Sequence, residues 1–225
     1  MTAQLIDRIL PNSVRQPKGV QLTDDRTPQE RRQARTREAI LTAARALIRE
    51  NGADKLSLRA IARRIDYSPA GLYEYFDSKD DIILTLCERG EEQLTAYLQR
   101  VPSDLPFAER VPAMVAAYVD FARDNPEFFQ LLFSVRTLDE SDPKGFYAYP
   151  ESSFGVLYGM IEEALAAGEI VEQDGYGAFE IAYSLWSMAH GMAVLQTGYL
   201  RDLAFDFPEA DRMTARLLVA GLQGK

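Results

Sequence analysis

Residues 56–83 read LSLRAIARRIDYSPAGLYEYFDSKDDII, two short helical patterns divided by a turn and followed by the start of a third. Ser57 is placed to cap a helix whose apolar face is Leu58, Ile61, Ala62 and Ile65, at i, i+3, i+4 and i+7. Asp66-Tyr67 supplies the turn, because aspartate tolerates the left-handed backbone that a tight turn often needs. Ser68-Pro69 then reads as an N-cap followed by proline at the first helical position, a sharp start for a second helix. Leu72 and Phe76 give that helix one buried seam and leave Ala70, Gly71, Tyr73 and Tyr75 to face outward. With only small side chains in its first turn, such a helix can lie close against another surface.

That design is the recognition helix of a helix-turn-helix, whose N-terminal residues meet base edges in the major groove. The run Ser57-Leu58-Arg59-x-Ile61-Ala62, with Tyr67-Ser68-Pro69-x-Gly71-Leu72-Tyr73-x-Tyr75-Phe76-x-Ser78-Lys79, closely resembles the DNA-binding domain of TetR-type transcriptional regulators. The resemblance is dense over residues 33–86. Asp66-Tyr67 departs from it, since the family usually has Gly-Val there, and the change places a negative charge near the DNA. Glu74 is a second departure, an acid on the recognition helix that could accept from cytosine N4 or face solvent.

Charge supports the motif independently. Residues 1–65 carry 14 Lys and Arg against 7 Asp and Glu, a net of +7, whereas residues 66–225 carry 11 against 27, a net of −16. A basic head on an acidic body is the footprint of a protein that grips phosphates at one end. Arg31, Arg32, Arg35 and Arg37 crowd the start of a helix expected over residues 28–51, whose apolar face is Ile40, Ala43, Ala44, Leu47 and Ile48. The candidate DNA-contacting residues are Arg37, Ser57, Arg59, Ser68, Pro69, Ala70, Gly71, Tyr73, Tyr75 and Lys79. Of these, Lys79, Arg59 and the two serine hydroxyls are expected at phosphates, and Gly71 and Tyr73 nearest the bases.

The expected fold is all-α, with about nine helices. Residues 1–28 read as a flexible arm, 29–78 as the helix-turn-helix domain, and 79–225 as a helical effector and dimerisation domain. Helices are expected over residues 79–100, 107–124, 126–136, 151–167, 175–200 and from 206 to about 223, with a loop over 137–150. The helix at 79–100 resembles the family's connector between the head and the effector domain. No apolar run approaches the ~18 residues of a membrane helix, and no apolar signal segment opens the chain. A single cysteine, Cys87, excludes an internal disulfide, and a cytoplasmic setting is expected.

Nothing in the pattern carries catalysis. There is no Gly-rich phosphate loop and no metal-spaced ligand set, and one histidine is a poor supply for acid–base work. No enzyme, cofactor or metal is expected. The second domain is instead rich in aromatics, which serve equally as core or as walls for an apolar ligand. Met114, Tyr118, Phe121, Phe129, Phe133, Phe154, Tyr158, Trp186 and His190 are the candidate effector-site residues. Trp186 and His190 stand at i, i+4, and Gly191 is expected to admit a neighbouring helix closely. Trp186-Ser187-Met188-Ala189-His190-Gly191, with Asn125-Pro126-Glu127-x-Phe129, resembles the effector domain of the Trp-His-Gly subgroup of TetR regulators.

Two stripes are expected to form a homodimer surface. One is Ala182, Leu185, Ala189, Met192, Ala193 and Gln196, and the other is Met213, Leu217, Ala220 and Gly221. The resemblance implies a four-helix interface, with two recognition helices about one DNA turn (~34–36 Å) apart or somewhat further. The resulting expectation is a dimeric repressor that binds a double-stranded DNA operator and is released by a small, mainly apolar effector. Two other readings stand beside it: a DNA-binding dimer without an effector, and a small-molecule binding protein whose DNA head is vestigial.

Overall fold

A computed structural model describes residues 27–134, 151–172 and 175–223. Its elements are all helical among the described residues: eight α-helices and two short 3-10 helices. The first compact unit ends at Glu88 and the second begins at Arg89.

In the first unit, α1 (Pro28–Asn51) starts on a reciprocal cap. Thr27 Oγ1 accepts from the Glu30 amide at 3.2 Å, and the Glu30 carboxylate accepts from the Thr27 amide at 2.6 Å. This closes two of the amides that a helix start leaves without partners. Ile40, Leu41, Ala43, Ala44 and Ile48 form its buried face, and Gly52 at φ 85° ends it. After a 3-10 turn (Ala53–Lys55), Ser57 caps α2 (Leu58–Arg64) by accepting from the Ala60 amide at 3.2 Å. Ile61 and Ala62 are buried, whereas Leu58 and Ile65 are half-buried at the ends of the same stripe. The Arg64 guanidinium grips the Glu50 carboxylate, with Nη1 2.8 Å from Oε2, and so ties α2 to the end of α1.

The turn follows the expected chemistry, because Asp66 takes φ 52°, the left-handed conformation. The element after it differs. Ser68 does cap, accepting from the Gly71 amide at 2.9 Å, but Ala70–Glu74 forms a 3-10 helix rather than an α-helix. Glycine with two tyrosines gives weak α-helical propensity. Leu72 and Phe76 still make the buried seam.

Ser78 then caps α3 (Lys79–Leu98) through the Asp81 amide at 3.1 Å. This helix is shorter than the expected 79–100. Ile82, Ile83, Leu86 and Cys87 are buried in its first half, and Leu94 and Leu98 in its second.

The second unit is built around α4 (Phe107–Asp124), which contains Pro112, and α5 (Pro126–Ser134), which follows directly on it. Next come α6 (Ser153–Ala166), capped by Ser152, then α7 (Ala178–Thr197) and α8 (Phe207–Leu222), capped by Asp206. Helix α4 packs against α7 and α8, and α6 packs against α7. The ends of α6 and α7 lie inside the expected 151–167 and 175–200. The expected loop over 137–150 and nearly all of the arm over 1–28 lie outside the described residues.

The packing of α7 corrects one expectation. Ala182, Leu185, Ala189 and Ala193 are buried within the chain itself, so this stripe is core and not a free dimer seam. A row of small residues signals close helix approach, and here the partners are α4 and α6. The second stripe is different: Met213, Leu217, Ala220 and Gly221 are all exposed, Leu217 by 72%. On α7 the exposed apolar residues are Phe179, Tyr183, Val194 and Leu195, with Tyr199, Leu203 and Phe205 beyond its end. Gly191 is corrected as well. A β-carbon added there would meet no atom of the described residues within 4 Å beyond its own stretch of helix, so no neighbouring helix among them approaches it.

Candidate DNA-reading head and aromatic cluster

In the head, the caps settle where two candidate residues point. The hydroxyls of Ser57 and Ser68 sit at the first turns of α2 and the 3-10 helix, accepting backbone amides with one lone pair and keeping their own O–H free to donate. Arg59, Pro69 and Ala70 are exposed, Tyr73 is exposed by 58%, and Tyr75 and Lys79 are half-buried. These residues lie around the start of the 3-10 helix and of its two neighbours in sequence.

Arg37 sits differently. Its guanidinium carbon lies 4.4 Å from the centre of the Phe76 ring, and Nη2 is 3.5 Å from Thr85 Oγ1. Half-buried, it joins α1 to the buried seam of the reading element, a packing task that the sequence pattern did not indicate. Glu74 shares a crevice with Glu30, Gln33, Ala34, Arg37 and Tyr75.

Tyr67 is the residue that sequence reasoning passed over. A β-carbon on Gly71 would lie 2.6 Å from Tyr67 Cε1 and 3.0 Å from Ser68 Oγ. Tyr67 also meets Tyr75 edge-on, with ring centres 6.2 Å apart. The side of Gly71 that a larger residue would fill is therefore taken by a tyrosine of the same turn. The tyrosine in place of the family's usual valine was the available signal.

In the second unit, six of the nine candidate effector-site residues converge. Phe133 meets His190 with centroids 4.5 Å apart, and Phe129 meets it at 5.3 Å. Phe154 lies edge-on to Trp186 at 6.0 Å, and Phe133 lies 6.2 Å from Trp186. Tyr118 reaches across from α4: its hydroxyl is 3.0 Å from His190 Nδ1, and Trp186 Nε1–H donates to the same oxygen at 3.3 Å. One phenol thus bridges positions i and i+4 of α7. Burial raises the Tyr118 phenol far above its ordinary value, although the Trp186 hydrogen bond opposes this. Burial lowers His190 below its ordinary 6.5.

The remaining three are placed elsewhere on the same helices. Phe121 is fully buried and meets Tyr97 with ring centres 5.6 Å apart. Met114 is buried one turn before Tyr118, and Tyr158 is half-buried on α6. Phe133 is exposed by 39%, so the cluster is not closed on that side by the described residues. No helix among the described residues is long and apolar enough to cross a membrane.

A helix-turn-helix head followed in sequence by a unit that is helical among the described residues is the architecture of DNA-binding transcriptional regulators. Residues 40–86 match the tetR family of bacterial regulatory proteins, and residues 111–221 match the tetracyclin repressor-like C-terminal domain. The chain thus carries both domains of a TetR-family transcriptional regulator. An uncharacterized HTH-type transcriptional regulator of Mycobacterium tuberculosis is 28% identical over 189 residues, 84% of this chain and 82% of its own length. A solved protein of unknown function from Rhodococcus sp. RHA1 superimposes with a TM-score of 0.69 at 26% identity, over 91% of this chain and all of its own. The transcriptional regulator FadR of Bacillus subtilis, solved in complex with stearoyl-CoA, shares the fold with a TM-score of 0.64 at 16% identity, over 82% of this chain and 98% of its own.

Proposed function

We propose that the protein is a homodimeric repressor whose operator affinity is lowered by a small, mainly apolar effector bound among the aromatics of the second unit. The observation that carries this reading is the cluster of Phe129, Phe133, Phe154 and Trp186 around the single polar trio Tyr118, Trp186 and His190. An apolar wall with few oriented polar groups is the ordinary composition of a small-molecule site. A FadR of the same fold solved with stearoyl-CoA supports an effector with an apolar chain. The order Trp186–Gly191 supports membership of the Trp-His-Gly subgroup.

Dimerisation is supported by the exposed apolar residues of α7 and α8, among them Val194, Leu195, Met213 and Leu217. Several large apolar side chains exposed on two helices suit an interaction surface. Helix α3 belongs to both units, so it is the natural carrier of a signal between effector and head. By linkage, an effector that favours one arrangement of the two heads lowers operator affinity by that same preference.

The test is a salt-dependent gel shift on the DNA upstream of the protein's own gene, repeated with saturating apolar probe. Specific retardation that the probe abolishes supports the reading. Retardation indifferent to every apolar probe removes the effector, and no specific retardation removes the repressor.

A further inference from the structure

The hydrogen-bond chemistry of the trio goes further than a general apolar pocket. Trp186 Nε1–H can only donate, and it donates to Tyr118 Oη. The phenol has one hydrogen, and the other atom within reach is His190 Nδ1. If Nδ1 carried a proton, it too would donate to Oη. The phenol hydrogen would then need a different acceptor, and none is recorded for Tyr118 among the described residues. Tyr118 is only 5% exposed, and a hydroxyl left without an acceptor in such a place is destabilising. The consistent arrangement is Trp186 N–H to Tyr118 O, and Tyr118 O–H to a bare Nδ1.

We propose that Tyr118 and Trp186 hold His190 as the neutral Nε2–H tautomer, and that this N–H is the donor that orients an effector bearing a neutral carbonyl oxygen on an apolar chain. The proposal rests on the effector reading above. His190 is only half-buried, and no hydrogen-bond partner of Nε2 is recorded among the described residues. Phe129 and Phe133 lie side by side against the ring, 5.1 Å from each other, and supply one apolar wall beside a bound chain.

A neutral acceptor fits better than a carboxylate. The wall beside the ring is the pair Phe129 and Phe133, and a neutral imidazole brings no counter-charge, so an ionised carboxylate would leave water for this site unpaired. A cation would face a donor N–H, not an acceptor. The class is therefore a ketone, ester or thioester carbonyl on a hydrocarbon chain.

The chain has one histidine and one tryptophan, so both halves can be read without assignment. A two-bond proton–nitrogen spectrum of uniformly labelled protein at neutral pH should show a pyridine-type Nδ1 and a protonated Nε2. Tyr118→Phe should convert this to a mixture of tautomers. Binding is followed by Trp186 fluorescence with three probes: methyl nonyl ketone, the branched hydrocarbon in which a methyl replaces its carbonyl oxygen, and decanoate. The ketone should bind roughly three- to tenfold tighter than the hydrocarbon, the worth of one neutral hydrogen bond. It should also bind more tightly than decanoate.

His190→Phe should erase the preference for the ketone while still binding the hydrocarbon. His190→Gln, which keeps an N–H donor, should retain part of it. A protonated Nδ1 in the wild type, or equal affinity for ketone and hydrocarbon, overturns the proposal. Tighter binding of decanoate overturns the choice of a neutral carbonyl. No response to any of the three probes overturns the effector reading itself, and the spectrum then still decides the tautomer.

Discussion

The ring of Tyr67 lies over Gly71 so closely that a single added methyl would sit 2.6 Å from its Cε1. Gly71→Ala must therefore displace the tyrosine that closes the turn of the reading element. Tyr67 is itself 38% exposed, so its ring can swing aside and the cost stays below that of overpacking a core, about 1 kcal/mol or less. The thermal midpoint should fall and operator affinity should drop with it. Adding Tyr67→Val to Gly71→Ala should recover most of both. If Gly71→Ala alone melts and binds as the wild type does, the contact is not a constraint.

Arg37 and Arg59 should respond in opposite ways. Arg59 is exposed, and Arg59→Ala should weaken binding to all DNA sequences and reduce the salt slope by about one unit. The Arg37 guanidinium lies on Phe76, a contact worth about 0.5–2 kcal/mol, so Arg37→Ala should lower stability without DNA present. Urea midpoints of the two variants separate the roles, and an unchanged midpoint for Arg37→Ala would remove its packing task.

The exposed face of α8 gives a test of assembly that spares the fold. Leu217 is 72% exposed, so Leu217→Glu should leave the helical signal intact and shift sedimentation from dimer to monomer, with operator binding lost. Ala189 is 5% exposed inside the chain, and Ala189→Glu should instead unfold the second unit. A Leu217→Glu protein that still sediments as a dimer places the interface elsewhere.

Cys87 should be chemically silent in the native state. Burial pushes its thiol up to about 11, so almost no thiolate exists at pH 8. A soluble aromatic disulfide reagent should react slowly with the folded protein and rapidly in denaturant. Fast labelling of native protein would contradict the packing of α3 in the first unit.

His190 should leave a mark on stability against pH. Its folded value lies below the ordinary 6.5, so the unfolded chain takes up a proton before the folded one does. The stability that follows is fully present above pH 6.5 and is lost as pH falls through the lower folded value. His190→Gln should flatten that part of the profile in thermal melts, and an unchanged slope would mean that His190 is not the titrating group.

Local chemistry made much of this fold legible. Ser57, Ser68, Ser78 and Asp206 each cap where a short polar side chain precedes an apolar period, because a cap is settled within three or four residues. Long helices such as α4, which no side chain caps, were readable from their apolar period instead. The reading element was harder: its residues suit a helix start, but Gly71 with two tyrosines has weak α-helical propensity and the segment forms a 3-10 helix. The Ala182–Ala193 stripe shows the limit of periodicity. Small residues announce close approach without saying whose helix approaches. In the aromatic cluster, Trp186 and His190 were legible as an i, i+4 pair, whereas the phenol that joins them comes from α4, far away in sequence, and only the fold could supply it.

On the proposed dimer, the apolar surface left bare on the last two helices would make the protein answerable to its own abundance. Two reading heads would be joined only when a second copy covers that surface, so at low abundance the competent species would grow with the square of the number of chains per cell. A promoter repressed in this way would respond to a threshold of supply. A modest fall in synthesis would then open it with no effector present, and recovery of synthesis would shut it just as steeply.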